Sequence, residues 1–142
     1  MEQSTRAIPD TDDFRFWTDE KVRNVDTDQF HHVNNAVIAS FLEAARMEIL
    51  ATPEASALHG SATLAVVRLE IDFHRELFYP ATVRIGSRVV SVGRTSFTVR
   101  QGVFNGPHCI ASATATCVLF DPSARKAVAV PEPLRQYLLR SS

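Results

Sequence analysis

The spacing of apolar and polar positions changes sharply along residues 22–50, VRNVDTDQFHHVNNAVIASFLEAARMEIL. The stretch opens as an alternating strand, passes through a polar knot at 26–35, and continues as a helix. Ala36, Val37, Ile38, Phe41, Leu42, Ala45, Ile49 and Leu50 place apolar side chains on nearly every face of that helix. A helix with so little solvent face has to lie inside something, and a sheet wrapped around it is the expected cover.

Upstream, residues 14–25 alternate imperfectly (Phe14, Phe16, Val22) and read as a strand bulged around 18–20. Residues 1–13 carry Pro9 and four acidic residues and read as a frayed lead-in. Downstream, Thr52-Pro53 stops the helix and 54–61 read as a loop. Residues 62–73 form a long strand with Val67, Leu69, Ile71 and Phe73 on one face and Arg68, Glu70 and Asp72 on the other. After a turn at Phe78-Tyr79-Pro80 comes a strand over 82–92, where Gly86-Ser87 suggests a bulge. Gly93-Arg94-Thr95 connects it to a strand over 96–104. Asn105-Gly106 predicts a type I′ hairpin into a last long strand over 108–120. Residues 131–139 read as a short helix with Leu134, Leu138 and Leu139 on its apolar side.

One strand, one long helix, then four strands in short hairpins is the order of an α+β fold with an antiparallel sheet, not of alternating βαβ units. A sheet of approximately five strands curled around the helix buries the apolar surface of both, in a single domain over residues 1–142.

Composition narrows the function more than the fold. With 45% apolar and 22% charged residues the chain reads as an ordinary globular domain. A net charge of −1 offers no footprint for nucleic acid and no polybasic patch for a membrane surface. The first residues, MEQSTRAIPDTDDF, lack the basic and apolar regions of a signal peptide, and no apolar run has spanning length. A cytoplasmic location is therefore expected. Cys109 and Cys117, an even number apart on one strand, are expected to share a face, too far apart to bridge, as reduced core thiols. In a regular strand with no adjacent base, neither reads as a nucleophile. There is no G-x-S-x-G elbow, no C-x-x-C and no Walker-type loop.

The candidate chemistry lies in the knot. Asn34 and Asn35 stand where an N-cap belongs, so the helix begins beside the polar residues. A helix start gathers unpaired N–H groups and positive dipole, suited to a polarised carbonyl or an anion. Asp28 lies just upstream, while Asp26 reads as a turn-forming acid. His31 and His32 are adjacent on a loop and diverge, with no third ligand cluster, so no metal is expected.

The run Asp26, Asp28, His32, Val33, Asn34, Asn35, followed by Phe41, Glu43, Ala45 and Arg46, resembles a known motif. Hotdog-fold acyl-CoA thioesterases of the 4-hydroxybenzoyl-CoA thioesterase type carry D-x-D-x-x-G-H-V-N-N-x-x-Y and then a helix with an F-x-E-x-A-R-like segment. The likeness spans about 22–120. It implies hydrolysis of an acyl-CoA thioester without a cofactor, Asp28 acting as nucleophile or as general base. Backbone N–H at the helix start, best matched by Asn35, would polarise the carbonyl. His32 and Asn34 would flank the substrate, and Arg94 and Ser96, in the hairpin near the nucleotide end of CoA in family members, would contact it. Arg84, Arg88 and Arg100 compete for the phosphate role. The acyl pocket is expected from Ile38, Phe41 and Leu42. The family also implies a homodimer or homotetramer, two helices lying side by side across a joined sheet, with residues of both subunits in each site. His31 replaces the motif's Gly and Ile38 its aromatic. Glu43 is an alternative acid, with Arg46 as its expected ion-pair partner, and His74 and Arg75 are expected to be solvated at a strand end. The rival functions are a hydratase or dehydratase acting on acyl thioesters, and a non-catalytic acyl-CoA-binding domain.

Overall fold

The computed structural model describes residues 7–140. Six strands and three α-helices follow one another as β1 (Phe16–Lys21), α1 (Asn35–Ala51), α2 (Pro53–His59), β2 (Thr63–Phe73), β3 (Thr82–Val92), β4 (Ser96–Asn105), β5 (His108–Asp121), β6 (Lys126–Ala127) and α3 (Glu132–Arg140). The strands form one antiparallel sheet in the order β1-β3-β4-β5-β2, with the short β6 paired to the end of β5. This is the expected α+β hotdog arrangement, a curled sheet around α1, with β6 as an unforeseen extra strand. None of the described helices is long and apolar enough to cross a membrane.

The buried positions of α1 are Ile38, Phe41, Leu42, Ala45, Arg46, Ile49 and Leu50. Their alternating spacing of three and one is a single helical stripe. The sequence pattern overstated the burial: Ala36, Ser40, Glu43 and Met47 form an opposite stripe that is exposed. Facing the buried stripe are alternate residues of the sheet, among them Val83, Ile85 and Val89 of β3, Phe97, Val99 and Val103 of β4, and Ala111, Ala113 and Ala115 of β5. The core falls into two apolar clusters along the helix axis. Ile38–Ala45 lie in the one that borders the helix start, and Ile49 and Leu50 lie in the other with Leu134 and Leu138 of α3.

Between the two clusters runs a polar seam. Arg46, 2% exposed, donates from Nη1 to Gln101 Oε1 (3.1 Å). Gln101 donates from Nε2 to the Leu42 carbonyl (3.0 Å) and to Ser87 Oγ (3.0 Å). Burial lowers the Arg46 guanidinium from its ordinary pKa, and its Nε has no hydrogen-bond partner among the described residues. One glutamine thus ties the helix side chain, the helix backbone and two strands together.

Several local expectations are corrected by pairing. β1 pairs without interruption from Phe16↔Ser87 to Lys21↔Thr82 and ends at Lys21, so there is no bulge at 18–20. Gly86-Ser87 also pairs in register; the irregularity in β3 falls between Val89 and Ser91. Gly86 serves close approach instead, since a Cβ there would lie 2.7 Å from Phe14 Cβ and Cγ. The residues after Thr52-Pro53 are not a loop but α2, with Thr52 Oγ1 accepting from the Ala55 N–H (3.1 Å) and Pro53 at the first position. The β4–β5 hairpin closes on Asn105↔His108 with Gly106 at φ 59° followed by Pro107. Proline cannot take the second positive φ of a type I′ turn, so the connection has the type II′ pattern. In the lead-in, residues 1–6 lie outside the described residues, whereas Thr11–Asp13 form a 3-10 turn capped by Asp10. On α3, Tyr137 joins Leu134 and Leu138 in the core in place of Leu139, which is exposed.

The two cysteines are buried and unpaired, but on opposite faces. The register slips between Val103↔Ala111 and Phe104↔Cys109, which turns Cys109 outward onto Phe14 and Phe104 while Cys117 faces the helix side. A one-residue slip exchanges the faces of every later side chain.

Gln101→Leu strands the Arg46 guanidinium without its acceptor and is expected to lower stability by about 1–3 kcal/mol or more in denaturant unfolding. Adding Arg46→Met should recover most of that loss, because the pair is then replaced by apolar groups.

Candidate active site

The polar knot is a tight loop pinned from both sides. Thr27 pairs with Val33 and His32 with Phe78 across it. Within it the Asp28 N–H donates to the His32 carbonyl (2.9 Å) and the His31 N–H to the Asp28 carbonyl (3.1 Å). His31 takes φ 65°, the left-handed conformation that Gly adopts most easily. The replacement at this position therefore keeps the turn and places the backbone strain on His31.

Asp26 is the structural acid. It is buried, accepts from the Arg23 N–H (2.8 Å) and Nη2 (2.9 Å), and its carbonyl accepts from the Asn34 N–H (3.0 Å). Hydrogen bonding from the Arg23 side chain holds its carboxyl below the usual carboxylate range. Asp28 is exposed, and its Oδ1 accepts from the Phe30 N–H (2.8 Å) and the His32 N–H (3.1 Å). Both bonds fall on Oδ1, so the carboxylate is oriented while Oδ2 has no partner among the described residues.

At the helix start, Asn34 is the N-cap: its side chain accepts from the Ala36 N–H (2.9 Å). Its carbonyl accepts from the N–H groups of Val37 (2.9 Å) and Ile38 (3.2 Å). The first-turn donor left unpaired among the described residues is the Asn35 N–H, at the positive end of the helix dipole. Asp28, His32, Asn34 and Asn35 all line one cleft of about 550 Å³. Val33, Ile38, Phe73 and Leu77 supply its apolar wall, and His74, Arg75 and Glu76 complete it.

That last segment is what sequence reasoning missed. His74 is tied down rather than solvated, with Nε2 2.8 Å from Ser112 Oγ. His32 Nδ1 lies 3.4 Å from Glu76 Oε1, and the His32 ring stands edge-on to Phe78 at 4.8 Å. The signal was present as three successive polar titratable residues closing an alternating strand, but nothing local says that this strand end reaches the helix start. Arg94 and Ser96 are not in the cleft. They occupy the β3–β4 turn, where the Gly93 N–H donates to the Ser96 carbonyl (2.6 Å) and the Arg94 carbonyl accepts from the Val130 N–H (2.8 Å). β3 leads away from the cleft, so this turn lies at the opposite end of the sheet. Of the expected pocket residues only Ile38 lines the cleft; Phe41 and Leu42 are buried in the core. Glu43 is exposed and does not pair with Arg46, which turns to Gln101. Burial pushes the thiols of Cys109 and Cys117 up to about 11, consistent with inert core residues. Among the described residues no group of three or more His, Cys, Asp or Glu is placed to hold a metal ion.

Known proteins share this fold and its family. The family model of the thioesterase superfamily matches residues 30–109. The long-chain acyl-CoA thioesterase FadM of Escherichia coli K12 is 30% identical over 125 residues, covering 85% of this chain and 95% of FadM. Among solved structures, a Thermus thermophilus thioesterase complexed with coenzyme A and zinc is 28% identical, with a TM-score of 0.75 over 88% of this chain and 92% of that one. The PA5185 protein of Pseudomonas aeruginosa PAO1, 21% identical, superposes with a TM-score of 0.82 over 94% of this chain and 96% of its own, and speaks to the fold alone. Matched by its family model over more than half its length and by a relative over most of it, the chain belongs to the thioesterase superfamily and is a hotdog-fold thioester hydrolase.

Proposed function

We propose that this chain hydrolyses acyl-CoA thioesters in the cleft at the start of α1. The observation that carries the reading is the meeting there of an oriented carboxylate, Asp28, and an unpaired backbone donor, the Asn35 N–H, beside an apolar wall. The thioester carbonyl oxygen accepts from the Asn35 N–H, which strengthens as negative charge develops on that oxygen. Asp28 then works through Oδ2 in one of two ways. It attacks the carbonyl carbon and expels the thiolate, leaving an acyl anhydride that water opens, or it takes a proton from a water that attacks instead. His32 and Asn34 border the reacting group. The names of two relatives, a long-chain acyl-CoA thioesterase and a thioesterase complexed with coenzyme A, support the carrier and make long-chain esters the first to test.

The same reading takes the working unit as a homodimer or a tetramer of such dimers. β2 is an edge strand, and Val67 (62% exposed), Leu69 (38%) and Phe73 (46%) are open to solvent on it, beside the exposed α1 stripe that ends in Met47. An exposed edge of this kind is a template for pairing with a second chain. Joining two β2 edges sets the two helices side by side and puts Phe73, a cleft residue, at the seam.

Free-thiol release from a panel of acyl-CoAs tests the reading. Asp28→Asn should lower kcat by roughly 10²–10⁴-fold on the best ester with little change in KM; an unchanged kcat would remove Asp28 from the chemistry. Asn35→Pro is the sharper probe. Asn35 is the first helical residue and Asn34 sits at φ −63° and ψ 138°, a backbone that suits a following proline. The substitution deletes the donor without breaking the helix and should cost on the order of 10²–10³ in kcat, whereas Asn35→Ala should not. For the assembly, Leu69→Asp should shift the protein to monomers in sedimentation velocity; an unaltered mass would place the interface elsewhere.

A further inference from the structure

A second cleft of about 450 Å³ adjoins the first. Its lining includes Asp10 and Asp12 of the lead-in and Pro107, His108 and Cys109 of the β4–β5 hairpin. His74 and Arg75 line both clefts, so this pair forms the wall between them. Resting on the acyl-CoA reading above, we propose that Arg75 is the contact for the phosphates of the CoA carrier, whose arm crosses that wall on its way out of the catalytic cleft.

Charge is the first reason. A CoA ester brings several fixed negative charges, and phosphate recognition favours the planar, always-charged guanidinium. The catalytic cleft itself carries two carboxylates, Asp28 and Glu76, and Arg75 is its sole lysine or arginine among the described residues. Among the described residues the second cleft likewise holds no other lysine or arginine. Among the described residues, a phosphate leaving the first cleft by this route therefore meets Arg75 on the wall as the lysine or arginine that lines both clefts.

Anchoring is the second. The N–H groups of His74 and Arg75 both donate to the Ile110 carbonyl, at 2.8 and 3.2 Å. The His74 ring is held at Ser112. The backbone that carries Arg75 is thus fixed to β5, while its side chain is exposed and enters no ion pair among the described residues. Neighbouring Glu76 lies instead beside His32. An uncommitted arginine on a fixed backbone is preorganised to receive an anion.

The acids of the second cleft limit how far the phosphates go. Asp10 Oδ1 accepts from the Asp12 N–H (2.8 Å) and Asp13 Oδ2 from the Asp10 N–H (2.9 Å), a capping box that keeps negative charge along the far wall. That wall keeps the phosphates on the Arg75 side of the cleft.

The test compares two esters of one acyl group, on CoA and on pantetheine, which lacks the phosphates. Arg75→Gln should cut kcat/KM for the CoA ester by roughly tenfold or more and leave the pantetheine ester within about twofold. The dependence of KM on salt should also flatten in the variant. Equal losses on both esters, or none on either, would overturn the assignment. So would a CoA-selective loss in Arg94→Gln with Arg75→Gln unaffected. Calorimetric titration of free CoA and free pantetheine into wild type and Arg75→Gln runs the same comparison without turnover. A protein that discriminates the two thiols through Arg75 but releases no thiol from any ester keeps this inference and loses the proposed hydrolysis.

Discussion

The fit of one helix into one curled sheet is fixed by a buried cation. Arg46 enters the core between two apolar clusters, and a neutral amide, Gln101, meets it there while also holding the Leu42 carbonyl and Ser87. Apolar side chains alone would allow α1 to slide along the sheet, since one leucine surface resembles another. A guanidinium in that interface has a single berth, because any displacement by a turn leaves it buried without an acceptor. The seam thus sets where the first turn of α1 ends up, and with it where the Asn35 N–H points. Packing in the middle of the subunit and chemistry at its rim are one geometric problem.

Much of this was legible because it is governed by neighbours in sequence. Asn34 as the cap, the stop at Thr52-Pro53 and the bounds of β3 all follow from capping chemistry, proline sterics and alternation, whereas the four strands read as successive hairpins do not form one run, since β2 crosses to pair with β5 and not with β3. What escaped depends on partners across the sheet. Gly86 reads as a bulge until Phe14 is seen lying on it, and the irregularities near Val67, Val90 and Ile110 exist only as mismatches between paired strands. Arg46 looked like half of a helical ion pair because its distant partner Gln101, 55 residues on, cannot be inferred from spacing.

The polar loop before α1 shows the same division. Asp28 and Asn35 were found by motif and by the physics of a helix start, both local. His74, Arg75 and Glu76 joined the site only through the sheet, which carries the end of β2 back to the helix start. The left-handed His31 shows that a motif position can change its residue and keep its backbone, when surrounding pairings such as Thr27↔Val33 and His32↔Phe78 hold the turn. Such strain persists where the surroundings over-determine it.

Thioester hydrolysis liberates a thiol with every turnover, and a liberated thiol is a reagent for disulfide exchange. Exchange needs a reachable thiolate or disulfide on the protein. Here Cys117 is fully buried and Cys109 is nearly so at the edge of the second cleft, and burial pushes both thiols up to about 11. Neither offers the product a thiolate with which to form a mixed disulfide. The depth at which Cys109 and Cys117 are set makes the protein redox-silent toward the compound it releases.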